Sequence, residues 1–172
     1  MKPIYLEMNY FGPHENSVVD FRLLDESPIF LISGDTGAGK STIFDAMTYA
    51  LFGTTTGDRD AKEMRSQFAT ADDRTSVTFY FKQGNLLYRI ERSPEQKLSK
   101  KRGSGSTLQK STAKLAIVDR VKGIEKNNIA INPKNVGEEI TRLLHLNAEQ
   151  FKKIILLPQN DFSRFLKSST PD

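Results

Sequence analysis

The chain has 172 residues, of which 37% are hydrophobic, enough for one domain, or part of one, with a real core. It has no cysteine, which excludes a disulfide framework, no stretch long enough to cross a membrane, and no signal-peptide pattern after Met1. A cytoplasmic soluble protein with no membrane partner is therefore expected, and the net charge of +4 permits a nucleic-acid partner without demanding one. In chain order, Ile4-Tyr5-Leu6-Glu7-Met8-Asn9 is predicted as a first strand closed by the turn Gly12-Pro13. Ser17-Val18-Val19-Asp20-Phe21 is predicted to pair with it, and Ile29-Phe30-Leu31-Ile32 suits a buried strand. The next eight residues, Gly34-Asp35-Thr36-Gly37-Ala38-Gly39-Lys40-Ser41, fit G-x-x-x-x-G-K-[ST]. Behind them Ile43, Met47, Ala50 and Leu51 share a helical face over residues 42–52, with Gly53 where a C-terminal cap belongs.

Residues 53–73 are polar and read mostly as loop. Two β-rich runs, 75–81 and 86–92, flank Gln83-Gly84-Asn85 as a hairpin, and residues 114–119 form a third β segment joining that meander. The serine, glycine and lysine tract at 99–110 is of low complexity. Asn135 with Glu138 makes a capping box for a helix whose apolar face is Val136, Ile140, Leu143 and Leu144. Asn147 caps a further short helix running to Lys153. An apolar run, Ile154-Ile155-Leu156-Leu157, stops at Pro158, and Phe162, Phe165 and Leu166 then recur at helical spacing.

Strand, glycine loop and helix in this order predict a nucleoside triphosphate site. The glycines Gly34, Gly37 and Gly39 let the backbone around Ala38 turn its N–H groups inward, and the helix beginning near Thr42 offers its free N–H groups and dipole to the same anion. Lys40 is placed to reach the β- and γ-phosphates, and the Ser41 hydroxyl to bind Mg²⁺. No N-K-x-D or D-x-x-G segment is present, which excludes a small GTPase; a small P-loop kinase stays open on motif grounds. Two β segments before the loop and a meander after its helix point to an ABC-type ATPase.

Phe11-Gly12-Pro13-His14, Asp20-Phe21, the run 34–53 and the stretch from Leu144-His145-Leu146 through Leu166 fall in one order. Together they resemble the N-terminal ATPase half of the SbcC family, the ATPase subunits of SbcCD DNA nucleases and relatives of the SMC proteins. The resemblance implies an α/β ABC-type P-loop lobe with a β-meander subregion and a mixed sheet, spanning residues 1–172 and ending near a coiled coil. The segment 151–166 resembles the family's glutamine loop, with Asn160 in place of the usual glycine. By that resemblance Gln159 approaches Mg²⁺ or the attacking water, and Lys40 and Gln159 are the catalytic residues of this half. An Asp-Glu strand and a Ser-Gly-Gly signature are missing: Asp119 is followed by Arg120, so residues 116–119 read as a meander strand, and 103–106 as a loop tip. The implied partners are the C-terminal half of the same ATPase, a second head in an ATP-dependent homodimer, an SbcD-like nuclease subunit and double-stranded DNA. An SMC-type tethering module, in which ATP gates assembly, is the other reading within the family.

Lys97, Lys100, Lys101, Arg102, Lys110 and Lys114 form a basic tract without an acid between them. It reads either as a solvated hairpin loop or as an arm contacting duplex phosphates, with Lys62, Arg65 and Arg74 adding to the same surface. His14 and His145 lie outside any metal-ligand pattern, and neither is expected to bind zinc; His14 reads as a surface residue, while the family resemblance implies the alternative of a place beside the nucleotide.

Overall fold

The computed structural model describes residues 1–24, 29–57, 60–100 and 104–154. Among these, β1 (Lys2–Phe11), β2 (His14–Asp20), β3 (Ser76–Gln83), β4 (Leu86–Ser93), β7 (Thr112–Val118) and β8 (Glu125–Ile131) make one sheet in the order β2-β1-β3-β4-β7-β8. Between β4 and β7 a separate two-stranded ribbon rises, β5 (Gln96–Ser99) with β6 (Ser106–Gln109). Every pairing is antiparallel, so the fold is mixed α/β on an antiparallel sheet; a parallel strand of the expected mixed sheet is absent among the described residues.

Alternation writes the sheet's two faces. Leu6 and Met8 on β1, Val77, Phe79 and Phe81 on β3 and Ile90 on β4 are buried on one face, under α1 (Lys40–Phe52). The hairpin β3–β4 turns at Gly84, whose φ of +57° at the first turn position suits a type II′ connection. α1 is buried on most of its circumference because α2 (Pro133–Leu144), which also packs on β7 and β8, and α3 (Ala148–Ile154) pack against it in addition to the sheet, with Phe52 and Phe151 rings 5.3 Å apart. Its C-terminus closes as the sequence predicts: Gly53, at φ +77°, donates its N–H to Tyr49 O at 2.8 Å.

Two local expectations change. Residues 29–33 are not a strand: Ile29, Phe30 and Leu31 are 85%, 48% and 88% exposed, and only Ile32 leans on the core. An apolar strand needs neighbours on both edges, and among the described residues none pairs with this one. The α2 cap is Asn132 rather than Asn135; its side chain accepts the Asn135 N–H at 3.0 Å, and Pro133 occupies the first turn, where its missing N–H costs nothing. Within the tract at 99–110, Ser99 and residues 106–109 lie in the two arms of the β5–β6 ribbon, in keeping with a hairpin. The Asn147 cap holds, in a reciprocal box with Gln150 at 2.9 and 3.0 Å. Among the described residues no helix is long and apolar enough to cross a membrane.

Candidate functional site

The glycine loop sits on the N-terminus of α1, whose cap residue is Gly39 at φ +86° and brings no side chain to the helix N–H groups. Gly37 takes φ +88°, and Ala38 N–H donates to Asp35 O at 3.2 Å, folding the loop into a tight turn. The Lys40 ammonium arches back over this turn and donates to Gly34 O at 2.7 Å and Asp35 O at 2.6 Å. A cation hooked over a loop of exposed N–H groups at an uncapped helix start fits a polyphosphate. Ser41 is exposed at the second helical position, while Thr42 is buried beneath it.

The loop stands on the turn between β1 and β2. Gly12 has φ +59° and donates to Met64 O at 2.7 Å; a Cβ there would lie 2.7 Å from Thr42 Cγ2. A Cβ on Gly39 would lie 2.5 Å from His14 Nε2 and 2.7 Å from Pro13 Cγ. His14 is thus no free surface residue. Its Nε2 lies 3.2 Å from Gly39 O, and since a carbonyl only accepts, that nitrogen carries the proton; Nδ1 meets Ser17 Oγ at 2.9 Å. The signal was in the sequence, a ring two residues after a glycine turn, but the partner lies 25 residues away.

At the far end of α1 a second residue escaped sequence reading. Arg92 is 4% exposed on the inward face of β4, and donates from Nε to Ala50 O at 2.7 Å and from Nη2 to Leu51 O at 3.1 Å. Burial lowers its pKa to about 10. Burial also pushes the neighbouring Tyr49 phenol up. Arg92 satisfies carbonyls that the helix end leaves orphaned, and so fixes α1 against the sheet. Its signal is an arginine in the inward register of Tyr88 and Ile90.

The basic residues divide. Arg65 is consumed internally, donating to Asp73 O, Thr75 Oγ1, Gln96 Oε1 and Thr70 O at 2.6–3.0 Å. Arg74 donates to Ser93 Oγ and Thr112 Oγ1, Lys62 pairs with Glu95 at 2.9 Å, and Lys114 pairs with Glu125. These four do not form a free cationic surface, because turn and strand oxygens already hold them. Lys97, Lys100 and Lys110 are exposed on or beside the ribbon, without an ion pair among the described residues. Lys101, Arg102 and Gln159 lie outside the described residues. Asp119 directly follows β7 in the antiparallel meander and pairs with Arg120 at 3.5 Å, in keeping with a meander strand over 116–118. Among the described residues no cluster of potential metal ligands occurs, and the histidines stand apart from any such group.

The family model for an AAA domain matches residues 5–172. The chain is 37% identical over 174 residues to the SbcC subunit of the SbcCD nuclease from Vibrio cholerae serotype O1, covering 100% of this chain and 17% of that protein. It is 42% identical over 173 residues to the SbcC subunit of the SbcCD nuclease from Staphylococcus aureus strain MRSA252, covering 99% of this chain and 16% of the relative. The chain thus spans about a sixth of the length of these relatives. With the glycine loop, its lysine and its helix inside the matched span, the chain belongs to the AAA-domain family.

Proposed function

We propose that residues 1–172 are the ATP-binding N-terminal half of an SbcC-like, ABC-type ATPase head, leading toward a coiled coil. The carrying observation is the Lys40 ammonium arched over the glycine loop at the open start of α1. On binding, Lys40 exchanges the Gly34 and Asp35 carbonyls for the β- and γ-phosphates, and the N–H groups of 37–42 surround the same oxygens. Ser41 would offer its hydroxyl to Mg²⁺, which would supply charge neutralisation at the β- and γ-phosphates. Gln159 is assigned by resemblance to the metal or the attacking water. The exposed Ile29, Phe30 and Leu31 support an incomplete head, since a complementary half would cover them.

The relatives are named as a subunit of a nuclease, which supports a nuclease partner; on this reading hydrolysis in a completed, dimeric head drives that partner on double-stranded DNA. Lys40→Ala should abolish most binding in a fluorescent-ATP titration, and Ser41→Ala should weaken chiefly the Mg²⁺-dependent part. The bare chain should hydrolyse ATP near background, because an open half-site leaves the γ-phosphate in water. The C-terminal half added in trans should restore turnover with a rate rising with protein concentration. Gln159→Ala should then bind normally but turn over slowly. Unchanged affinity in Lys40→Ala would overturn the site, and robust concentration-independent turnover by the bare chain would overturn the half-head.

A further inference from the structure

A second concave surface lies at the opposite end of β1 from the glycine loop. β1 begins there at Lys2 and ends at Phe11 beside Gly12, a run of roughly 30 Å at strand rise. The groove has a volume of about 560 Å³ and is bounded by the β3–β4 turn and the β7–β8 connection. Its rim carries Lys2, Arg22, Lys82, Arg120 and Lys126, with Asp119 the one acid of the lining among the described residues. Arg22 is held by Asp20 and Arg120 by Asp119. Lys82 and Lys126 are exposed and have no ion pair among the described residues. The sheet register sets Lys82 directly opposite Lys2 at this rim.

The floor is different in kind. Ile4 and Val118 are buried, and Leu87 and Val121 lean half-buried against them, in a small apolar cluster with Tyr5 and Tyr80 on the sheet face away from α1. A phosphate backbone offers charge but nothing to place on such a floor. A protein segment that alternates carboxylates with apolar side chains satisfies both parts, since its alternate residues face opposite sides at strand spacing. We propose that this groove docks an extended acidic and apolar segment of a partner protein, with Lys82 and Lys126 taking its carboxylates and the half-buried Leu87 and Val121 its apolar side chains. The site is independent of the nucleotide reading, for it shares no residue with the glycine loop.

The test is fluorescence polarisation of the 172-residue chain with a short labelled peptide alternating glutamate and leucine. Binding should weaken with salt and fall about tenfold or more in the double variant Lys82→Glu, Lys126→Glu. Val121→Ser should weaken it with every cation retained, and Lys97→Ser with Lys110→Ser should leave it unchanged. Both groove lysines are exposed, so the variants should keep the parent's thermal midpoint; Lys82→Gln with Lys126→Gln serves as a milder pair. Equal binding by the charge-reversed variant would overturn the proposal. So would equal binding of a glutamate–serine peptide, which would leave only a charged patch. Displacement of the peptide by a DNA duplex would assign the groove to nucleic acid, and a concentration-dependent dimer lost in the variants would assign it to a second copy.

Discussion

At the scale of single residues, the glycine loop depends on two atoms' worth of space. Gly39 has φ +86°, and His14 and Pro13 fill the position a Cβ would take. Gly39→Ala should therefore cost about 1–3 kcal/mol of stability and most of the nucleotide affinity, because strain and clash fall on the same residue. Adding His14→Ala should recover part of the thermal midpoint, since it removes the ring's share of the clash but neither the Pro13 contact nor the positive φ; strict additivity of the two changes would contradict the His14 contact. On the outer face of the sheet, Lys114 and Arg89 both hold Glu125, and the Lys114 hydrogen bond is the main reason its pKa lies below the ordinary 4.5. A carboxylate with a depressed folded pKa adds stability above its unfolded value and loses it as pH falls through the folded one. Thermal melts from neutral pH down through the acid range should show Glu125→Gln less stable near neutrality, with the gap closing below about pH 4.5. A gap independent of pH would mean the ion pairs contribute nothing.

At the scale of elements, α1 is fixed at both ends by different means. Its start rests on the Gly12 turn and its end on Arg92, so the helix that presents the glycine loop is set by the sheet. Arg92→Ala should destabilise by about 2–4 kcal/mol, as it strips two carbonyls of their partner and opens a cavity. Arg92→Met, which fills the space without the donors, should lose less in chemical denaturation; equal losses would make packing irrelevant there. α1 was legible in the sequence because loop, apolar spacing and terminal glycine agree on one helix. The β3–β4 hairpin was legible because turn and alternation coincide. β8 was not, since an edge strand with Asn127 and Asn128 and two register shifts against β7 shows no clean alternation. Neither was the ribbon, where Gln96 is fixed by Arg65, Thr75 and Ser93, two of them far from it in sequence. The glycine loop itself was fully legible, but its contact with His14 and the engagement of Arg65 and Arg74 depend on tertiary partners that spacing does not encode.

At the scale of the whole molecule, charge is arranged by location rather than by sum. The ribbon, rooted through Gln96 and Arg65, carries Lys97, Lys100 and Lys110 away from the sheet. Replacing these three with serine should lower the affinity of an assembled head for duplex DNA and flatten its salt dependence by about 0.9 in log–log slope per lost phosphate contact. Lys62→Ser, which breaks only the pair with Glu95, should leave that slope unchanged. An unaltered slope after the triple change would return the ribbon to a solvated hairpin.

The uncovered run at Ile29, Phe30 and Leu31 also bears on how such a protein is made. If its covering strand comes from a distant part of a chain as long as the relatives, hundreds of residues must be translated before it arrives. At about 5–20 residues per second, that leaves a β-forming apolar segment unpaired on the ribosome for on the order of a minute. An open segment of this kind templates pairing with other chains. The newborn lobe would thus be at its most aggregation-prone after its own sheet has folded, and chaperone binding should peak in that interval and end when the second half docks.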